Sequence, residues 1–137
     1  MGRRVLVVEP SRTIRKLLEV YLQQWGHQVA LFSSYAEASL ALSLPEFRTN
    51  LPEVAFVATN TSWSESYRFI EELRQRMHGP LTKIVVRVMQ EELTHPKLQP
   101  LLQDQRVVPL VKPFRVQDML ALASTAASLP FNTVETR

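Results

Sequence analysis

Two ionisable side chains and one methyl group stand at the ends of short apolar runs in this chain. Glu9 follows the run VLVV, Ala58 closes the run VAFVA, and Lys112 follows the run VVPLV. A carboxylate can hold a metal ion or another cation, and a lysine can bind a phosphoryl oxygen. No nucleophile paired with a base and no phosphate-binding loop accompanies them, so we expect no enzymatic activity.

The elements that carry these residues alternate between two periodicities. Short β-branched runs predict strands over 4–8, 29–32, 54–58, 83–88 and 107–111, and apolar residues at three- and four-residue steps predict helices over 11–25, 35–44, 64–77 and 115–128. This alternation predicts a parallel sheet covered on both faces. The natural topology is an α/β, flavodoxin-like, doubly wound five-stranded sheet with strand order 2-1-3-4-5 and about five helices. We expect one domain over 1–128 and a polar tail over 129–137.

Two segments need separate treatment. In the first helix, the apolar residues recur on one side and should form its buried face: Ile14, Leu17, Leu18, Tyr21, Leu22 and Trp25. Between the fourth and fifth strands, residues 90–104 contain Pro96 and Pro100. Either a short, kinked helix begins near Pro96, or the helix begins at Pro100.

Composition excludes several classes of protein. With 137 residues, 45% hydrophobic and 21% charged, the chain has the composition of a globular domain. It has no cysteine, and its apolar runs are too short to span a membrane, so we expect a cytoplasmic protein. Its three histidines have no ligand spacing, and we expect no metal site. The net charge of +3 is concentrated in residues 1–27, where a basic patch could attract nucleic acid or could be a merely solvated face.

Several of these motifs together resemble the receiver domain of bacterial two-component response regulators. The resemblance covers about residues 3–128 and is carried by the first strand with Glu9, by Pro52-Glu53, and by Val111-Lys112-Pro113-Phe114. It implies a magnesium site formed by an acidic pair after the first strand. It also implies an aspartate that accepts a phosphoryl group at the end of the third strand.

The metal ligands and the phosphoacceptor are mostly missing at the corresponding positions. The acidic pair is Glu9-Pro10, which leaves one carboxylate, and the phosphoacceptor position is Ala58. Magnesium needs several hard oxygen ligands, and alanine has no nucleophilic atom. We therefore expect neither metal nor cofactor nor phosphorylation, and we interpret the loss as natural because the rest of the site has changed too.

The switch residues implied by the resemblance have changed as well. The hydroxyl residue after the fourth strand corresponds to Val88, or to Arg87 if the register slips by one position, and the aromatic residue of the fifth strand corresponds to Pro109. Of the site residues that the resemblance implies, only Lys112 is present unchanged. Its side chain either pairs with Glu9, or the residue is needed for the turn that starts the last helix.

These substitutions favour a pseudo-receiver that works without phosphorylation as a protein–protein interaction or adaptor module in two-component-type signalling. Its partner would be a histidine kinase, a response regulator, another pathway component or a second copy in a homodimer. The candidate contact residues lie on the first helix and around the fourth helix and fifth strand: Arg12, Arg15, Lys16, Pro96, Pro100 and Phe114. The alternatives are a sensor of a small quinone-like molecule, with a pocket near Ala58, Val88 and Met89, and nucleic-acid binding through the basic first helix.

Overall fold

The computed structural model describes residues 2–49, 51–59, 63–76, 83–111 and 115–124. In chain order, their strands and helices are β1 (Arg4–Val8), α1 (Arg12–Gln24), β2 (Gln28–Phe32), α2 (Tyr35–Leu42), α3 (Pro45–Thr49), β3 (Val54–Ala58), α4 (Trp63–Arg76), β4 (Lys83–Val88), a 3-10 turn (Gln90–Thr94), α5 (Leu98–Leu101), β5 (Val107–Val111) and α6 (Val116–Ser124). The strands form one sheet in the order β2-β1-β3-β4-β5, and all neighbours are parallel. The predicted flavodoxin-like topology is confirmed.

Side chains on the two sides of the sheet enter two separate apolar clusters, because successive strand residues point to opposite faces. On one side, Ala55, Val57 and Val86 pack with α2, α4 and α5. On the other side, Phe56 and Val85 pack with α1 and α6. The sheet is therefore covered on both faces, as its near-continuous apolar strands predict.

Helix α1 buries a narrower face than its apolar pattern predicts. Leu18 and Leu22 are buried, but Leu17, Tyr21 and Trp25 are exposed, and Trp25 keeps 53% of its surface accessible. The prediction of a six-residue buried face is wrong for these three side chains. Six apolar residues span more of the helix circumference than a flat sheet can cover, so part of the apolar surface remains outside.

The helix ends follow from the chemistry of the residues found there. Gly26 has a φ of +88°, the left-handed conformation that glycine adopts readily after the end of a helix. Ser34 caps α2, and its hydroxyl accepts a hydrogen bond from the Glu37 N–H at 3.2 Å. Pro45 follows the predicted helix over 35–44 and begins the short helix α3, where its missing N–H costs nothing. With α3, the described residues form six α-helices, in line with the predicted number of about five.

The connection between β4 and β5 is irregular, as its prolines indicate. A 3-10 turn precedes the four-residue helix α5, which begins at Leu98 and not at Pro96 or Pro100. Pro100 lies in the first turn of α5, where backbone N–H groups have no partner within the helix. The predicted short, partly unwound helix is therefore confirmed, and both predicted starting points are wrong.

Helix α6 is described as far as Ser124, so its predicted continuation to residue 128 and the tail 129–137 lie outside the described residues. Near the described end of α6, the buried ammonium of Lys83 donates a hydrogen bond to the Leu122 carbonyl at 3.0 Å. A cation is favourable near the C-terminal carbonyls of a helix. Within the described ranges, no helix combines the length and apolar character needed to cross a membrane.

Candidate functional site

Three of the residues at the carboxyl edge of the sheet lie in one row. Val8 is paired with Val57 in the parallel ladder, so Glu9 follows β1 beside Ala58, and Ala58 is in turn paired with Arg87 of β4. The three side chains point to the α1 and α6 side of the sheet, because side chains alternate along each strand. Glu9, Ala58 and Arg87 therefore form a line across β1, β3 and β4.

The two ends of this row form a buried ion pair. A guanidinium nitrogen (Nη2) of Arg87 contacts Oε1 of Glu9, and the side chains keep only 11% and 3% of their surfaces exposed. The second oxygen, Oε2, accepts a hydrogen bond from the Ser11 N–H at 2.9 Å. Both carboxylate oxygens of Glu9 thus have partners within the protein.

Arg87 supplies a cation to Glu9, a contact that the sequence does not predict. Lys112, for which pairing with Glu9 was one of two predicted roles, lies outside the described residues together with Phe114, so that prediction is not tested. The sequence gives Arg87 only the role of a register alternative to Val88. The signal that could have identified it is a charged residue inside a strand that is otherwise buried on both faces, since such a residue is rarely buried unless paired.

Ala58 contributes a methyl group and a backbone carbonyl to the site. Its side chain is buried, with 3% exposed. The carbonyl accepts a hydrogen bond from the hydroxyl of Tyr35, which also lies 2.8 Å from the Ser66 hydroxyl. Burial raises the pKa of the Tyr35 hydroxyl to about 12. Tyr35 is therefore a neutral hydrogen-bond donor across the ordinary pH range, and it anchors the end of β3 to α2.

The other positions that the resemblance implies for the site carry no reactive side chain. Val88 is buried against the α2 and α4 side of the sheet, and Pro109 lies within β5 beside Val86. Pro10 is exposed, and its carbonyl accepts a hydrogen bond from Arg15 at 3.0 Å. Val88 has no hydroxyl group with which to contact a bound anion, and Pro109 has no aromatic ring that could rotate.

The Thr59 hydroxyl lies at the end of β4 and makes hydrogen bonds to the loops there. It donates to the Arg87 carbonyl at 3.0 Å and lies 3.1 Å from the Glu92 carboxylate. The same carboxylate accepts the Met89 N–H. Thr59 therefore connects the end of β3 to the turn after β4.

The predicted contact residues fall on two different sides of the molecule. Arg12 and Lys16 are exposed on α1, whereas Arg15 donates to the Glu9 carbonyl at 2.8 Å and is partly buried. Pro96 and Pro100 are exposed on the β4–β5 connection, which packs on the opposite face of the sheet through α5. The five described residues of this set therefore do not form one surface.

Neither of the described histidines belongs to a metal site. His27 is buried, and its Nδ1 accepts the Arg3 N–H at 3.0 Å. Burial, and then the positive charge of Arg3, lower the pKa of its imidazole. The Nδ1 of His95 accepts the Lys97 N–H at 3.1 Å. Across the described ranges there is no group of three His, Cys, Asp or Glu side chains that could hold a metal ion.

The fold is that of response-regulator receiver domains. The solved structures similar to this chain include the Vibrio cholerae chemotaxis protein CheY4, with a TM-score of 0.68 and 23% identity over 89% of this chain and 96% of that one. A CheY-like receiver domain from Methylobacillus flagellatus has a TM-score of 0.68 and 17% identity over 89% and 96% of the two chains. The receiver domain of a Pseudomonas aeruginosa sensor histidine kinase has a TM-score of 0.70 and 16% identity over 94% and 100%. No family model and no curated protein matches the chain.

Proposed function

We propose that residues 1–128 form a pseudo-receiver, a receiver-fold domain that acts in two-component-type signalling by binding another protein and does so without phosphorylation. The observation that carries the proposal is the ion pair between Glu9 and Arg87, which lies above Ala58. A receiver-like site requires a free carboxylate cluster and a nucleophilic oxygen at this place. Here the remaining carboxylate is neutralised within the protein, and the nucleophile position is a methyl group.

The same contacts disfavour magnesium binding. The Pseudomonas aeruginosa receiver domain holds a magnesium ion in its active-site cleft. In this chain Glu9 is the one carboxylate at the corresponding acidic pair, and its two oxygens are occupied by Arg87 and by the Ser11 N–H. A metal ion would have to displace a buried guanidinium and would gain few oxygen ligands in exchange.

The exposed side of α1 supports binding of another protein. Leu17, Val20 and Tyr21 form an exposed apolar strip, and they line a shallow groove of about 470 Å³ together with Arg12 and Lys16. Exposed apolar side chains that adjoin one another often mark a protein interface. The two cations at one border favour a partner helix with an apolar stripe and acidic residues beside it.

Phosphorylation is tested by incubating the protein with acetyl phosphate and magnesium chloride and measuring the intact mass. We expect no added phosphoryl group, because residue 58 has no nucleophilic atom and both carboxylate oxygens of Glu9 are engaged within the protein. A bona fide receiver domain treated in parallel shows that the reagent is active. A stable phosphoryl adduct on any residue would show that the phosphorylation-independent function is wrong.

The binding surface is tested by crosslinking and affinity capture from cells of the source organism. Leu17→Ser combined with Tyr21→Ser should remove the partner that the natural protein captures. Leu40→Ser is the matched control, because Leu40 is equally apolar and still more exposed but lies on α2. Loss of the same partner with the Leu40 variant, or its retention with the α1 variant, would place the interface elsewhere.

The geometry gives no comparable support to the quinone-sensing alternative. Ala58 and Val88 keep 3% and 1% of their surfaces exposed, so neither offers area to a ligand. Arg87 crosses the space above Ala58. Met89 is the one residue of that expected pocket with an exposed side chain.

A further inference from the structure

The row Glu9–Ala58–Arg87 sets a strict requirement on its middle residue. Neighbouring strands lie about 4.8 Å apart, so the Cα atoms of Glu9 and Arg87 are separated by about 10 Å. Their side chains meet across this distance on the same side of the sheet. The side chain of residue 58 lies beneath the line that joins them. A methyl group leaves this path open, and a longer side chain would occupy it.

The ion pair is also connected to the first turn of α1. Ser11 is the N-cap of α1; its N–H donates to Glu9 at 2.9 Å and its hydroxyl accepts the Ile14 N–H at 3.3 Å. Arg15, one turn along the helix, donates to the carbonyls of Glu9 and Pro10. The loop after β1 and the start of α1 are thus one hydrogen-bonded unit, which Glu9 fastens to Arg87 of β4.

We infer that Arg87 is a positioning residue that acts as a resident cation: it fixes Glu9, and through Ser11 it fixes the first turn of α1 in one arrangement. Ala58 is the residue that makes this contact possible. The small side chain at position 58 and the cation at position 87 therefore depend on each other in the folded structure. The inference rests on the proposed function in one respect: the helix held in place is the one that carries the proposed docking surface.

The test is amide hydrogen exchange of the whole chain, followed by NMR. Arg87→Met should accelerate exchange at Ser11, Ile14 and Arg15 by about tenfold or more, the factor that corresponds to losing one hydrogen bond to a charged group. Amides in the interior of α4 report global unfolding and provide the reference. Lys97→Met, which removes an exposed cation near Tyr67, is the matched control and should change neither set of amides.

Two further comparisons separate positioning from general stability. Glu9→Gln combined with Arg87→Met removes both charges but leaves an amide oxygen for Ser11, so slow exchange at Ser11 should return. Ala58→Leu should reproduce the effect of Arg87→Met with both charged residues in place, whereas Ala58→Gly should preserve the ion pair. If Arg87→Met does not fold, this pair of Ala58 variants decides the question.

The inference is wrong if Arg87→Met and Ala58→Leu leave exchange at the start of α1 unchanged. It is equally wrong if they accelerate exchange in α4 by the same factor, because Arg87 would then contribute only to global stability. These outcomes are independent of the acetyl phosphate experiment. A phosphoryl adduct would refute the proposed function while leaving the exchange data to decide the role of Arg87.

Discussion

Replacing Lys83 with methionine should abolish a rise in stability that we expect between pH 8 and pH 10. Lys83 has 2% of its surface exposed, and burial, with a smaller contribution from Arg3, lowers the pKa of its ammonium from 10.5 to about 8. Between these two values the unfolded chain binds a proton that the folded protein has released. Stability therefore increases with pH across this interval, and the cost of burying the charge is fully present below pH 8.

The size of the effect follows from the same shift. One pKa unit corresponds to about 1.4 kcal/mol, so the complete shift is worth about 3 kcal/mol and the part between pH 8 and pH 10 about 2 kcal/mol. Above pH 10 the Tyr35 hydroxyl acts in the opposite direction. Its pKa is raised from 10.0 to about 12 in the folded protein, so the unfolded chain ionises first and stability falls. The interval from pH 8 to pH 10 isolates Lys83.

The assay is urea unfolding at several pH values for the natural protein and for Lys83→Met. We expect the difference in unfolding free energy between the two proteins to change by about 2 kcal/mol across the interval. Lys97→Met is the control, because that lysine is exposed, and its pH profile should match that of the natural protein. Parallel profiles for the natural protein and Lys83→Met would refute a buried ammonium with a lowered pKa.

Two further predictions concern the acid limit of stability and the end of β3. Hydrogen bonds from Arg106, and to a smaller extent from Arg74, lower the pKa of the Asp104 carboxyl from 3.8 to about 2. The ionised carboxyl therefore stabilises the fold above pH 3.8, and this contribution is lost as the pH falls towards 2. Asp104→Asn should remove this pH dependence from an acid titration followed by circular dichroism. Tyr35→Phe leaves the buried Ala58 carbonyl without its hydroxyl donor and should lower the unfolding free energy in urea by about 1–3 kcal/mol; an unchanged midpoint would show that the hydrogen bond contributes nothing.

The sequence predicts the topology of this chain well because each strand and most helices carry their own periodic pattern. The sequence does not predict which side chains of a helix are buried, because burial depends on how much of the helix surface the neighbouring elements cover. Trp25 satisfies the helical spacing of α1 but lies beyond the reach of the sheet. Pro45 has the chemistry of a residue that follows a helix, yet it begins α3, a helix that the sequence pattern does not predict. Both errors concern tertiary context, which a local pattern does not contain.

In the candidate site, too, the sequence does not predict the contacts that depend on tertiary structure. The sequence shows directly that position 58 carries only a methyl group, and the resemblance to receiver domains implies a carboxylate at this position. It does not identify the ion pair between Glu9 and Arg87, because that contact depends on the register of three strands. The register joins residues that are 78 positions apart in the chain. A cation inside a buried strand indicates that a partner exists, and only the sheet shows which one.

The same internal contacts reduce the case for nucleic-acid binding. The excess positive charge near the N-terminus is partly paired within the fold, since Arg3 and Arg4 both face Glu53 and Arg15 is bonded to backbone carbonyls. Nucleic-acid affinity rises with the number of phosphates that free cations neutralise. Arg12 and Lys16 are the exposed cations of α1, and Lys16 lies 3.4 Å from Glu19. Two exposed cations are few for binding a nucleic-acid backbone, and they fit the edge of a protein interface better.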